Sequence, residues 1–263
     1  MEKGVPIRAI TRGLSVLQAI NRGGSITMME IARSSQVPYP TACRIVQTLL
    51  HEGVIEREPA RKRYRATALV QTLASGYHDD SQLVAIARPH IEALCEKLLW
   101  PISVTSRVGA HMMVRDSTHT MTSLTLNNYY PGFTLPIMEC SSGKAYIAYC
   151  SDTEREHLIE GLRTIEGAAE KLATLLLSSD TLLKEIRRDG YATQSRNAYT
   201  ANPGKTSSIA MPLFNNGVVI GAIVVIFFSV AMPMERAIAQ FVVPLKETAD
   251  RISAELGAVA PSA

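Results

Sequence analysis

One tight turn fixes the pairing of the two most apolar segments of the chain. Asn216-Gly217 stands between residues 207–214 and 218–228, both rich in β-branched and other apolar side chains. An Asn-Gly pair in this setting predicts a β-hairpin, because both residues tolerate the positive φ of a hairpin turn. The apolar run continues to Met234 and barely reaches the length of a membrane-spanning helix. Its Val, Ile and Phe content and Gly221 favour a buried strand instead.

The second half of the chain mixes strand and helix patterns around this hairpin. Alternating apolar residues predict strands over 102–108, 112–115 and 121–126. Helical spacing predicts helices over 142–150, 152–162, 178–189 and 233–256. Strands followed by helices on one side or both indicate the α+β class with an antiparallel sheet.

The first half carries a different pattern, a helix-turn-helix followed by a hairpin. Apolar spacing over 10–20 predicts one helix, and Thr27 with Glu30 forms a capping-box pair at the start of a second. A third helix begins near Pro40 and ends before Gly53. Two short strands over 54–57 and 63–66 follow, so the pattern predicts a winged helix-turn-helix.

The charge is unevenly distributed along the chain. Residues 1–76 hold eleven Lys or Arg against five Glu, a net charge of +6, whereas the remainder holds 16 basic and 19 acidic residues, a net charge of −3. A basic N-terminal part followed by a mildly acidic remainder indicates that residues 1–76 contact a polyanion. The alternative is that the basic residues only form a solvated surface. The helix-turn-helix pattern favours double-stranded DNA.

Several stretches then resemble the IclR family of transcriptional regulators, in order and spacing over residues 8–256. They are residues 11–17, 37–49, 52–55, 141–148, 190–192, 207–214 and 219–223. The resemblance implies a winged helix-turn-helix over 1–68, a linker helix over 69–82 interrupted at Gly76, and a GAF-like effector-binding domain over 83–258. It also implies a homodimer or dimer of dimers that binds operator DNA and a small organic acid without a cofactor.

The DNA-binding candidates lie on the second helix of the motif, on the wing and, in the case of Thr27, at the start of the first helix of the motif. Helix residues with polar or exposed groups would face the major groove, and wing cations would contact phosphates. Tyr39 could instead pack against the wing, and Arg44 could contact a phosphate rather than a base. The candidates are Thr27, Tyr39, Pro40, Thr41, Arg44, Arg61, Lys62 and Arg63.

The resemblance places the effector between the sheet and the start of the helix near residue 142. An N-terminal helix end suits a carboxylate, and a glycine there would let a ligand approach. The candidates are Met138, Ser142, Gly143, Lys144, Gln194, Ser208, Val224 and Ile226. Apolar Val224 and Ile226 favour an aromatic acid. Residues 100–101, 113–119 and 148–150 are most similar to family members that control 3-hydroxyphenylpropionate catabolism.

Other chemistry finds little support in the sequence. Gly204-Lys205-Thr206 lacks the earlier glycine of a phosphate-binding loop, and the histidines and cysteines have no metal-ligand spacing. The alternative function is that the second half of the chain is a catalytic domain, a hydrolase or transferase acting on aromatic acids. The sequence leaves open that Cys140 and His119 form its nucleophile pair. We expect no enzyme and no metal. The first residues carry no secretory signal, so we expect a cytoplasmic protein without a membrane segment.

Overall fold

A computed structural model describes residues 7–59, 61–73, 81–125, 129–163, 181–198 and 203–258. The chain divides into two compact units, Met1–Asp79 and Asp80–Ala263. We call them the N-terminal and the C-terminal unit.

The N-terminal unit is the predicted winged helix-turn-helix. Its helices are α1 (Arg8–Gly23), α2 (Met28–Ser35) and α3 (Tyr39–His51), and its strands are β1 (Ile26–Thr27), β2 (Ile55–Arg57) and β3 (Arg63–Ala66). The strands form an antiparallel sheet in the order β1-β3-β2. A single core holds it together, with Val16, Ile20, Ile31, Val46 and Ile55 each at most 2% exposed.

Local signals set the boundaries of α2. The Thr27 side chain accepts a hydrogen bond from the Glu30 backbone N–H at 3.3 Å, and the Thr27 backbone N–H donates to Glu30 Oε2 at 2.7 Å. This is the predicted capping box, which satisfies two helix N–H groups at once. At the other end Gln36 takes a left-handed conformation, and its backbone N–H contacts the Ala32 and Arg33 carbonyls. The short turn that follows sets the angle between α2 and α3.

The first part of the predicted linker helix, residues 69–73, is a 3-10 helix rather than an α-helix. Residues Ala68–Leu73 form a 3-10 helix without a buried side chain, and Leu73 is 67% exposed. A 3-10 helix rarely extends beyond a few residues, so residues 68–73 form a short connecting element. Residues 74–80, which include Gly76, lie outside the described residues.

The C-terminal unit is built on a six-stranded antiparallel sheet in the order β6-β5-β4-β9-β8-β7. The strands are β4 (Ile102–Val108), β5 (His111–Ser117), β6 (Thr134–Pro136), β7 (Ala192–Gln194), β8 (Thr206–Asn215) and β9 (Val218–Phe228). The helices are α4 (Ser81–Leu98), α5 (Ser141–Tyr149), α6 (Asp152–Arg163), α7 with a described part over 181–189, and α8 (Met234–Ala258). The expected α+β class is confirmed.

The two faces of β9 explain why the sequence is apolar without alternation. Ile223, Val225 and Phe227 pack with α4 and α8, whereas Val224 and Ile226 belong to the cluster under α5. A strand buried on both faces has no polar side, which is why the run resembles a membrane segment. None of the helices in the described ranges is both long and apolar enough to cross a bilayer.

The Asn-Gly hairpin is confirmed and one predicted strand is wrong. Asn216 and Gly217 have φ of 49° and 80°, and β8 pairs with β9 along its whole length. Residues 121–125 of the predicted strand over 121–126 form bends, and residue 126 lies outside the described residues. The Thr122 hydroxyl donates to the Leu99 carbonyl at 2.6 Å, and the free edge of β5 pairs with β6 instead.

Candidate nucleic-acid interface and ligand cavity

An open groove runs between α1 and α3 of the N-terminal unit. Its volume is about 630 Å³, and Arg12, Thr41, Arg44, Gln47 and His51 are among its lining residues. Apolar residues of α3 such as Ala42 and Val46 pack into the core, and this leaves the opposite side of the helix to water. The exposed side of α3 is therefore polar and basic, as a helix that enters the major groove requires.

The candidates on the first turn of α3 are exposed to different degrees. Tyr39 is 47% exposed, Pro40 and Arg44 are exposed, and Thr41 is half-buried in the groove. Cys43, one turn after Tyr39, raises the pKa of the Tyr39 phenol through its charge and a hydrogen bond. The Tyr39 hydroxyl is thus held by Cys43 of the same helix, while the ring of Tyr39 stays accessible to solvent.

Charge pairing separates the basic residues of this unit into two sets. Arg65 pairs with Glu56 at 2.5 Å, so that guanidinium is already neutralised. Arg44, Arg61 and Lys62 are exposed, and within the described residues their side chains have neither an ion pair nor a hydrogen bond. Unpaired exposed cations are available to phosphates and base edges.

Arg63 does not belong with the wing tip, which corrects the sequence prediction. Its Nη2 donates to the Ser25 carbonyl at 2.7 Å, its Nε donates to the same oxygen at 3.1 Å, and Nη2 lies 3.4 Å from Glu30 Oε2. The antiparallel pairing of β3 with β1 places Arg63 opposite Thr27 and directs its side chain across the small sheet. Arg63 therefore fastens the wing to the start of α2.

Thr27, which the sequence predicts as a DNA contact, has a structural role at the start of α2. Its hydroxyl accepts from the Glu30 backbone N–H and donates to Glu30 Oε2 at 2.9 Å. The Thr27 backbone hydrogen bond is the largest of the causes that lower the pKa of Glu30, so the carboxylate stays ionised at the helix start. The Thr27 hydroxyl is therefore engaged in the cap of α2, and its contact with DNA stays a prediction.

In the C-terminal unit a small cavity lies between the sheet and the start of α5. Its volume is about 20 Å³, room for a single water molecule. Val224 and Ile226 on β9 form an apolar stripe, flanked by hydroxyl residues on β4 and β8. The lining residues are Ser103, Thr105, Val114, Tyr129, Leu135, Cys140, Ser141, Ser142, Asn197, Thr206, Ser208, Val224 and Ile226.

The hydroxyl groups around this cavity are paired with one another. Ser141 Oγ lies 2.7 Å from Ser208 Oγ, and the Tyr129 hydroxyl lies 3.1 Å from Thr206 Oγ1. Burial raises the pKa of Tyr129, which therefore stays a neutral hydroxyl at physiological pH. A ligand with polar groups can replace each of these bonds with one of its own, so the pairs mark polar positions at which a ligand can be held.

The chemistry of Cys140 does not support a nucleophile. Burial raises the pKa of its thiol, and the thiol must lose its proton before it can attack. Its sulfur instead caps α5, accepting from the Gly143 backbone N–H at 3.4 Å and the Ser142 hydroxyl at 3.3 Å. Among the described residues, no three His, Cys, Asp or Glu side chains are grouped as metal ligands.

Four of the eight predicted effector residues line this cavity: Ser142, Ser208, Val224 and Ile226. Gly143 has another role, because a Cβ on it would lie 1.8 Å from the Ile137 carbonyl oxygen. The missing side chain thus lets α5 approach the short 3-10 helix Ile137–Glu139 closely.

The remaining three predicted effector residues lie outside the lining. Lys144 Nζ donates to the Thr193 carbonyl at 3.3 Å, and burial lowers the pKa of this lysine. Gln194 Nε2 donates to the Ser195 carbonyl at 3.1 Å, and Met138 packs against the apolar cluster under α5. Each side chain is engaged by the fold, so none of them is available in this structure to orient a bound molecule.

Several residues of the cavity are not among the candidates predicted from the sequence. Ser103 and Thr105 face it from β4, and their alternation with buried Ile102 and Val104 was a detectable signal. Tyr129 carried no such signal, because it comes to the cavity from an irregular segment. In the N-terminal unit, the groove residues Arg12, Gln47 and His51 were also missed, although helical spacing places Gln47 one turn after Arg44.

Comparison with solved structures shows the fold. The IclR of Thermotoga maritima matches with a TM-score of 0.64 at 19% identity, covering 95% of this chain and 99% of that one. An IclR homologue of Microbacterium hydrocarbonoxydans, solved with 4-hydroxybenzoate, matches with a TM-score of 0.63 at 22% identity, covering 95% and 100%.

Sequence comparison extends over nearly the whole chain. The DNA-binding transcriptional repressor YiaJ of Escherichia coli strain K12 is 24% identical over 258 residues, 97% of this chain and 90% of that protein. Residues 9–59 match the IclR helix-turn-helix domain, and residues 75–254 match the C-terminal domain of bacterial IclR transcriptional regulators. The proteins of this family regulate transcription and are not enzymes, so the catalytic alternative is set aside. The chain belongs to the IclR family of bacterial transcriptional regulators.

Proposed function

We propose that this regulator binds operator DNA as a homo-oligomer and that an aromatic acid in the cavity under α5 controls the binding. The observation that carries the DNA part is the exposed basic set at α3 and the wing, Arg44, Arg61 and Lys62, whose side chains have no partner among the described residues. Cations that are not neutralised within the protein give affinity for the phosphate backbone, and an arginine on the recognition helix can read guanine.

The proposed effector class follows from the arrangement of the sheet under α5. In the register of the sheet, Ser103 on β4 lies beside Val224, and Ser208 on β8 lies beside Ile226. A flat apolar ring suits the stripe formed by Val224 and Ile226, with polar substituents directed toward the hydroxyls at both sides. The cavity of about 20 Å³ must widen to admit such a ring, so the proposal includes a local opening of this lining. Polar groups placed around an apolar surface, which can orient a bound molecule, are typical of small-molecule sites.

The charge of the lining limits the number of acid groups. The described lining holds no Lys, Arg or His side chain, so a carboxylate would be met by hydroxyls and by the N-terminal end of α5. Such a site suits one carboxylate rather than two. The Microbacterium hydrocarbonoxydans homologue with bound 4-hydroxybenzoate and the resemblance to regulators of 3-hydroxyphenylpropionate catabolism support a hydroxylated aromatic acid.

The effector proposal is tested by ligand-induced stabilisation of the full chain. We expect 4-hydroxybenzoate or 3-hydroxyphenylpropionate to raise the melting temperature, and glyoxylate and pyruvate to leave it unchanged. A hundredfold excess of ligand over its Kd stabilises the folded state by about 2.7 kcal/mol, which is measurable. Ser208→Ala removes the partner of Ser141 and should weaken the response. Gln194→Ala, on the neighbouring strand but outside the lining, is the matched control.

Two outcomes would count against this site. A strong response to glyoxylate would contradict the aromatic class. Equal responses of the Ser208→Ala and Gln194→Ala variants would place the ligand elsewhere.

The DNA part is tested by a mobility shift with the DNA upstream of the chain's own gene. We expect a specific complex whose affinity falls steeply with salt, because phosphate contacts release counterions. Addition of the aromatic acid should change the operator affinity by a constant factor at fixed salt. Binding that neither depends on salt nor prefers this DNA over a scrambled duplex would refute it.

A stripe on α1 supports the homo-oligomer. Ile7, Ile10 and Leu14 follow helical spacing and are 64%, 59% and 55% exposed. An apolar stripe of this kind marks an interaction surface, and a second copy of the chain would bring two recognition helices to the half-sites of a palindrome. Leu14→Glu should lower the molar mass measured by light scattering. An unchanged mass would show that this stripe does not join the subunits.

A further inference from the structure

The outer side of α3 carries polar side chains well beyond its first turn. Arg44, Gln47 and His51 follow one another at intervals of three and four residues and line the same groove with α1. Such spacing places them in one row along the helix. The row continues the polar surface on which the DNA-binding proposal rests, and it extends two turns toward the end of α3.

Gln47 is the member of this row whose side-chain amide is free to recognise a base. It is exposed, and it makes no hydrogen bond with any of the described residues. The neighbouring Thr48 differs, because its hydroxyl donates to the Arg44 carbonyl at 3.2 Å. The other residues nearby face inward, since Ile45 and Leu49 pack against the core of the unit.

The chemistry of the two free side chains matches two different bases. An arginine pairs bidentately with guanine O6 and N7, and a glutamine pairs bidentately with adenine N6 and N7. Three residues advance along a helix by about 4.5 Å, and successive base pairs are about 3.4 Å apart. Arg44 and Gln47 can therefore reach neighbouring base pairs from one helix.

We propose that Gln47 is a specificity-determining residue that reads an adenine one base step from the guanine read by Arg44. This inference rests on the proposed binding of operator DNA by α3. It adds the identity and position of a second base, which makes the operator half-site testable without knowledge of its full sequence.

The experiment is a selection from a randomised duplex library with the full-length protein. The wild type should enrich a palindrome whose half-site contains a guanine beside an adenine. Gln47→Ala should lose the preference for adenine at one position, with a loss of discrimination between about fivefold and 150-fold. Gln47→Glu should prefer cytosine at that same position, because a carboxylate accepts from cytosine N4.

Matched variants separate base reading from other effects. Arg44→Ala should lose the neighbouring guanine and keep the adenine. Gln18→Ala replaces an exposed glutamine of α1 outside the groove and should keep the complete consensus. Ala and Glu are strong helix formers at an exposed position, so the Gln47 variants should fold normally, which circular dichroism checks.

The possible results are distinct. An unchanged consensus in both Gln47 variants, or an equal loss of affinity for every sequence in Gln47→Ala, overturns the inference. Failure of the wild type to enrich any sequence instead overturns the DNA-binding proposal on which it rests.

Discussion

Arg63 offers the sharpest test of the N-terminal unit, because the sequence and the structure assign it opposite roles. In the sequence it is the last of three adjacent cations and resembles Arg61 and Lys62. In the structure its guanidinium donates twice to the Ser25 carbonyl and lies beside Glu30. We therefore predict that Arg63→Ala weakens the fold of this unit rather than its contact with phosphates.

The size of the stability loss in Arg63→Ala follows from the hydrogen bonds that the guanidinium makes. A hydrogen bond from a charged donor contributes about 1.5–3 kcal/mol to stability. The side chains of Arg63 and Glu30 are 33% and 49% exposed, so water screens their ion pair and we assign none of the loss to it. A loss of about 2 kcal/mol in opening free energy speeds amide exchange roughly 30-fold.

The assay is hydrogen–deuterium exchange by mass spectrometry on the full chain. Peptides covering β1, α2 and β3 should exchange faster in Arg63→Ala, and peptides covering α8 should not change. Lys62→Ala is the matched control, since this lysine is exposed and without a partner among the described residues. It should leave exchange unchanged and reduce the slope of log affinity against log salt by about 1.

The opposite pattern would refute the assignment. Unchanged exchange in Arg63→Ala, together with the reduced salt slope expected for Lys62→Ala, would show that Arg63 binds phosphate after all.

Three further predictions concern the C-terminal unit and the cysteines. Gly143→Ala should destabilise the chain by about 3–5 kcal/mol, seen as a lower urea midpoint, since its Cβ would overlap the Ile137 carbonyl; a wild-type midpoint would contradict this packing. Iodoacetamide at pH 8 should modify half-exposed Cys43 but not Cys140, because burial raises the pKa of the Cys140 thiol and excludes the reagent; modification of native Cys140 would contradict it. Burial lowers the pKa of His119, so protonation favours the unfolded chain and stability falls as the pH drops below about 6.5. His119→Gln should flatten this fall in melting temperature, and an unchanged profile would assign it to other groups.

Local chemistry made much of the fold predictable. The hairpin at Asn216-Gly217 was predictable because two adjacent residues set the φ angles of the turn. The start of α2 was equally predictable, since Thr27 and Glu30 form the capping box through bonds that span three residues. In both cases the partners are close in the chain, so the pattern of residue types contains the whole interaction.

The ligand cavity was predictable only in part. The apolar wall of Val224 and Ile226 follows from the composition of β9. The choice of Ser141 as the partner of Ser208 depends on how α5 is rotated above the sheet, and no local pattern records that rotation. Tyr129 reaches its partner Thr206 across 77 positions of the chain, a contact that exists only after folding.

The sequence by itself determined the helix-turn-helix of the first unit, the hairpin at Asn216-Gly217 and the basic character of the first unit. Only the tertiary structure decided which contacts each of these residues makes, and residues of the same type make different contacts. Arg63 lies away from the wing tip because strand pairing directs its side chain toward Ser25. Gly143 is a packing contact because Ile137 occupies the space beside it. Side-chain chemistry is a property of the residue, whereas the direction in which a side chain points is set by contacts with residues distant in the chain.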